Sequence, residues 1–173
     1  MAVTHPRRPL PGLYYYFFWL IEPALTLAGA WSAISNSQGY AADLLHNEEP
    51  GTVNLGKTIR GQIVVGGLGS CFLLFAMISL SLFPIIKRSL PDRPDIQERL
   101  VKGILIPLAI ADLTHISMTL LPLPMSLLQQ PLKWTYMIHC NVMITAFLFL
   151  VRSMYLLGVG RGKSAKRASR KDL

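Results

Sequence analysis

Three ionisable side chains stand alone inside long apolar stretches: Glu22, Asp112 and Arg152. Two carboxyls beside one guanidinium can divide labour. Burial favours the protonated, proton-donating form of a carboxyl, and a neighbouring guanidinium favours the ionised form of another. That is a general acid next to a general base. Helical spacing adds neighbours. Asp112 and His115 are three residues apart and share a face, and Asn141, Thr145, Leu148 and Arg152 share a stripe. Glu22, Asp112, Arg152, His115 and Asn141 are therefore the candidate catalytic residues, with His115 or Asn141 placed to orient water. Acid–base chemistry without a cofactor covers epoxide opening by water or by an internal hydroxyl, olefin-initiated cyclisation and double-bond isomerisation. A purely structural role would be satisfied by one ion pair, which would leave the second carboxyl, His115 and Asn141 surplus.

The elements that must position these residues follow from composition. The chain has 173 residues, 51% hydrophobic and only 15% charged, against roughly 25% charged in an average soluble domain. One charge, Glu22, lies between Pro9 and Ala42, and none lies between Gly61 and Ile86. Asp112 is alone between Gly103 and Leu132, and Arg152 between Trp134 and Gly160. This distribution excludes an ordinary soluble enzyme, a disordered chain and, with only Cys71 and Cys140, a disulfide-stapled secreted domain. Four stretches suffice to cross about 30 Å of hydrocarbon as helices: Leu13–Ala33, Gln62–Ile86, Val101–Leu121 and Trp134–Leu157. The expected fold class is all-α, a polytopic membrane four-helix bundle over residues 1–160, followed by a basic disordered tail at 161–173.

Lys and Arg orient the spans. Two lie at the N-terminus (Arg7, Arg8), five between spans two and three, and six in the tail, against three (Lys57, Arg60, Lys133) on the opposite side. Both termini are expected to be cytoplasmic. The net charge of +8 is thus a topology signal, and nucleic acid is not an expected partner; lipid headgroups are. The first span reads as a signal anchor, being too long for a cleavable signal and containing Glu22-Pro23. The loop Ile34–Arg60 is expected to be lumenal with a short helix at Gly39–His46. Lys87–Lys102 should be a cytoplasmic loop and Pro122–Pro131 a short turn. Pro23 and Pro107 interrupt the spans.

Counted inward from the cytoplasmic ends, Glu22 and Asp112 each lie about nine residues deep, or ~13 Å, and Arg152 about six, or ~9 Å. Three charges within one helical turn of a common depth are expected to meet. On span one, Tyr15, Trp19, Glu22, Thr26 and Gly29 fall on one stripe. Tyr15, Trp19, Thr26 and Trp134 are the candidate substrate contacts, although the Tyr14–Tyr16 run, Trp19 and Trp134 also suit an interfacial aromatic belt. His139 should face elsewhere. Gln62, Gly66, Gly69 and Ser70 give span two a small-residue packing face. No metal is expected: Asp112 and His115 lack a second ligand pair, and Arg152 would oppose a cation. The expected ligand is a hydrophobic small molecule, and oligomeric state is left open.

Several short motifs carry a resemblance: Ile21-Glu22-Pro23, Ala111-Asp112-Leu113-Thr114-His115, Trp134, Asn141, and Arg152 followed by Leu157-Gly158-Val159-Gly160. The chain resembles small four-helix integral membrane proteins of filamentous fungi that carry a domain-of-unknown-function label. Some are encoded beside polyketide synthases and flavin monooxygenases and act as epoxide hydrolases or cyclases on polyene epoxides. The resemblance implies the same general activity, in the endoplasmic reticulum membrane. A looser likeness is to membrane-bound meroterpenoid cyclases, which implies a terpene-type cyclase or isomerase acting on a prenylated lipid. A non-enzymatic scaffold or carrier is the alternative of another class.

Overall fold

The computed structural model describes residues 9–44 and 55–160. Arg7, Arg8, the end of the expected helix at His46 and the tail from Arg161 lie outside the described residues. Among those described, every regular element is helical. Four helices are long and apolar enough to cross a membrane: Gly12–Ser35, Ile59–Ser89, Pro94–Leu120 and Tyr136–Leu156. They are called the first to fourth spans below.

Local chemistry sets their ends. Asn36 closes the first span and caps the short connecting helix Ser37–Ala42, its Oδ1 accepting from Gly39 N at 2.9 Å. Thr58 and Thr135 cap the second and fourth spans through Gly61 N (3.0 Å) and Ile138 N (3.2 Å), the usual role of a threonine with extended backbone at that position. The fourth span ends at Gly158, whose φ of 82° is left-handed. Val159 N donates to Met154 O and Gly158 N to Tyr155 O, the paired closure that glycine makes possible at a helix end.

The expected loop Lys87–Lys102 is mostly helix. The second span continues to Ser89 and the third begins at Pro94. Proline suits a first helical turn, where its missing N–H needs no partner. Glu98 and Lys102 pair at 2.8 Å across one turn, and Gln97 Nε2 donates to Ile86 O at 3.3 Å, which ties the two helix ends together. Between the third and fourth spans, the expected turn contains a short helix, Met125–Leu128, and a 3₁₀ turn, Pro131–Lys133. Pro84 and Pro107 lie inside helices.

The first span packs chiefly on the second and the third on the fourth. An aromatic cluster joins all four at one end. Phe18 stacks on Phe83 (5.7 Å between centroids) and meets Tyr155 edge-on (5.8 Å), with Val101 and Leu105 of the third span packed in. The Tyr155 hydroxyl donates to Pro9 O, and that of Tyr14 to Val159 O, both at 2.9 Å. Part of the expected aromatic belt is therefore core, since Tyr14 and Tyr15 are buried and Tyr16 is exposed.

The expected small-residue face of the second span is corrected. Gly69 alone of the four meets the first span: a Cβ there would come within 2.6 Å of Ile34 and 3.1 Å of Ala33. Gly66 faces open space and Gln62 and Ser70 are exposed. The buried stripe runs through Val65, Gly69, Ala76, Ser79 and Phe83: small residues do turn inward, but along another line of the helix, while Ile63, Val64, Leu74 and Met77 are exposed.

Candidate active site

Arg152, on the fourth span, joins two carboxyls from two other spans. Its Nη2 lies 2.8 Å from Glu22 Oε1, and its Nη1 donates to Asp112 Oδ2. Arg152 is 3% exposed and Glu22 4%. Ser79, the buried polar residue of the second span, lies beside the Glu22 carboxyl, so all four spans converge here. Among the described residues, Glu22 Oε2 and Arg152 Nε find no hydrogen-bond partner. A planar guanidinium can hold one carboxyl on each of its two terminal nitrogens, which an ammonium cannot do with fixed geometry. Two carboxyls share one cation, so the charge-neutral state of the cluster carries one proton on the carboxyl pair.

The backbone of the first span explains where Glu22 points. Phe17–Ile21 forms a π turn, with Glu22 N donating to Phe17 O. Pro23 follows; it has no N–H and its ring crowds the carbonyl four residues earlier, which a widened turn relieves. A π turn holds about one residue more than an α turn, so side chains before it rotate by roughly 100° relative to those after it. The expected stripe is broken there. Glu22, Thr26 and Gly29 line one cavity, while Tyr15 and Trp19 stand outside it. Lys87 Nζ sits 3.5 Å from the Tyr15 ring centroid, and Trp19 Nε1 donates to Leu80 O at 3.3 Å.

The cavity, about 430 Å³, lies over the charged cluster, within the range of small-molecule sites. Leu25, Phe72, Leu108 and Leu148 form apolar wall. All five candidate catalytic residues border it: Glu22, Asp112, Arg152, His115 and Asn141. His115 is half-buried, with its ring edge-on to Phe72 at 6.0 Å. Thr26 borders the cavity too, with its hydroxyl turned to Glu22 O at 2.9 Å. Trp134 does not. Its Nε1 donates to Leu127 O at 2.8 Å, and it packs on the Leu123–Ile138–Val142 cluster and against His139. His139, set against Thr135 O at 3.1 Å, also lies off the cavity.

Tyr40 was not expected at the cavity. Tyr40, from the connecting helix, is 3% exposed and its hydroxyl donates to Asn141 Oδ1 at 3.4 Å. Burial pushes the Tyr40 hydroxyl above its ordinary value of 10.0, and the Asn141 contact opposes this. A lone tyrosine in a polar stretch, four residues after the capping asparagine, was the available signal. Cys71 and Cys140 also border the cavity as free thiols. Among the described residues, no three metal-ligating side chains gather in one place.

A family model described as a domain of unknown function, DUF7704, matches residues 7–162. The chain belongs to that family. No curated protein and no solved structure matches it.

Proposed function

For this member of the DUF7704 family, we propose a membrane-embedded epoxide hydrolase or cyclase that acts by acid–base catalysis on an apolar, polyketide-type epoxide. The observation that carries the reading is the pair of carboxyls held by one buried guanidinium on the wall of a mostly apolar cavity. An apolar cavity between membrane spans suits a substrate that dissolves in the bilayer. In the reaction, the protonated carboxyl gives its proton to the oxirane oxygen as a ring C–O bond breaks. The ionised carboxyl takes a proton from water or from a substrate hydroxyl as that oxygen forms the new C–O bond. One carboxyl loses a proton and the other gains one, so the cluster ends with the proton number it began with. Arg152 keeps one carboxyl ionised and holds both in register. His115, one turn from Asp112, orients the attacking water, and Asn141 contacts the substrate further along the cavity.

The resemblance to fungal membrane proteins supports a role in secondary metabolism in the endoplasmic reticulum, and the Lys and Arg distribution supports cytoplasmic termini. A second reading draws on the rings of Phe72 and Phe75 at the cavity, which would stabilise a carbocation. The same acid would then start a terpene-type cyclisation or double-bond shift on a prenylated lipid, and product identity separates the two.

The test is turnover of a polyene epoxide by purified protein in detergent. Asp112→Asn and Glu22→Gln are each expected to lower turnover by about 10²–10⁴-fold at normal expression. Near-normal turnover in both variants rejects the proposal. Loss of folding in both, with no turnover by the parent protein, favours a scaffold.

A further inference from the structure

The cavity has two polar ends. One holds the Glu22–Arg152–Asp112 cluster. The other holds Tyr40 and Asn141, and the wall between is mostly apolar, with His115 and Thr145 set into it. Asn141 and Arg152 are eleven positions apart on one helix, roughly 16 Å of axial rise. The arginine side chain leans toward the start of its helix, hence toward Asn141, which leaves roughly 10 Å between the guanidinium and the asparagine level. That is too far for Asn141 to touch atoms reacting at the carboxyls.

The Tyr40–Asn141 pair also has a direction. Tyr40 donates to Asn141 Oδ1, which turns the Asn141 amide nitrogen the other way. Among the described residues that nitrogen donates no hydrogen bond, although Asn141 borders the cavity and is half-buried. The nitrogen is not fully buried, so an acceptor oxygen on a ligand in the cavity can reach it. Tyr40 reaches this position because its helix is capped by Asn36 and its ring is packed with Ala33 and Val65. The pair is held by the fold and is not a pair of free surface side chains.

We propose that the Tyr40–Asn141 end of the cavity recognises a second oxygen function on the substrate, a hydroxyl or carbonyl about 10 Å from the reacting epoxide. The ligand class is an elongated, mostly apolar molecule with an acceptor oxygen at the far end. Asn141 donates to that oxygen, and Tyr40 is a positioning residue that fixes which end of the amide is presented. The inference rests on reading the cavity as the substrate site.

The experiment compares two radiolabelled probes binding to the full chain in detergent. One is the epoxide of oleyl alcohol, which has a terminal hydroxyl; the other is the epoxide of the matching hydrocarbon. The hydroxyl probe is expected to bind the parent protein about tenfold more tightly, the scale of one satisfied buried hydrogen bond. Asn141→Leu is expected to erase that preference and leave the hydrocarbon probe's affinity unchanged. Tyr40→Phe is expected to reduce the preference by about half on a logarithmic scale. Equal binding of the two probes by the parent protein, or full preference in either variant, overturns the proposal. If Asn141→Leu binds neither probe, Tyr40→Phe decides. Glu22→Gln should keep the preference while losing ring opening. A preserved preference with no ring opening in any form of the protein would reject the proposed reaction and leave this site standing.

Discussion

Arg152 is the one cation shared by two buried carboxyls, and the energetics of the site depend on it more than on either carboxyl. Replacing it with leucine leaves Glu22 and Asp112 facing each other in a buried position without a counter-charge. Breaking a buried pair in this way costs about 3–5 kcal/mol, so Arg152→Leu should unfold at markedly lower temperature in detergent. Adding Glu22→Gln and Asp112→Asn removes the stranded charges and should recover most of that loss, while the ring-opening activity stays absent. Tyr40, which lies outside the spans, gives a pH signature. Its hydroxyl ionises at higher pH in the folded protein than its ordinary 10.0, so above that value the unfolded chain releases its proton first. Stability should therefore be intact below pH 10.0 and fall as pH rises from there through the folded value. Tyr40→Phe should lack this component when alkaline unfolding curves are compared. At this scale the meeting of Glu22, Asp112 and Arg152 was legible, because depth along a helix can be counted from sequence. Tyr40 was less so: a lone tyrosine in a polar stretch marks a side chain that will be buried, but not which spans it folds back over.

Elements were legible where periodicity and length speak and illegible where a single turn changes the phase. All four spans lie where the apolar stretches fall: the second and third begin earlier than expected, after the Thr58 cap and at Pro94, and the fourth begins two residues later, after the Thr135 cap. The helical stripe assigned to the first span failed at Phe17–Ile21, since a constant period cannot represent a π turn. Pro23 gave the physical reason for a distortion but not its form. The small-residue stripe failed in its register: Gly69 packs while Gly66 does not, and the buried line continues through Ala76 and Ser79, a choice among small residues that composition alone does not make. Gly158 is a case where the residue type does determine geometry. Its φ of 82° disfavours any residue with a Cβ by about 1–2 kcal/mol. A Cβ there would meet no neighbouring atom, so the penalty is backbone strain alone. Gly158→Ala should lower stability by that amount in thermal unfolding. It should also loosen the Tyr14 hydroxyl from Val159 O, since that carbonyl belongs to the closing turn.

At the scale of the whole molecule, two helix pairs are joined by an aromatic cluster at one end and enclose the cavity beside the charged cluster. An even number of spans puts both ends of the chain on one side of the membrane, whichever side that is. The side proposed here rests on charge. Lys87, Arg88, Arg93, Arg99 and Lys102 flank the turn between the second and third spans, and the tail adds six more, whereas Lys57, Arg60 and Lys133 are the whole count on the other side. Short basic segments resist translocation, so the turn and both termini should stay cytoplasmic. Acceptor-site mapping checks this directly, because the natural sequence has no Asn-x-Ser/Thr acceptor and any glycan must come from an added site. An Asn-Gly-Thr tripeptide inserted between Glu48 and Glu49 should be glycosylated in microsomes, seen as a mass shift reversed by endoglycosidase. The same tripeptide placed between Pro91 and Asp92, or after Lys163, should remain unmodified. The reverse pattern would invert the bundle and place the Tyr40–Asn141 end of the cavity toward the cytoplasm. The order of the spans and the cavity between them would be unchanged, so orientation can be wrong without altering the chemistry proposed for Glu22 and Asp112.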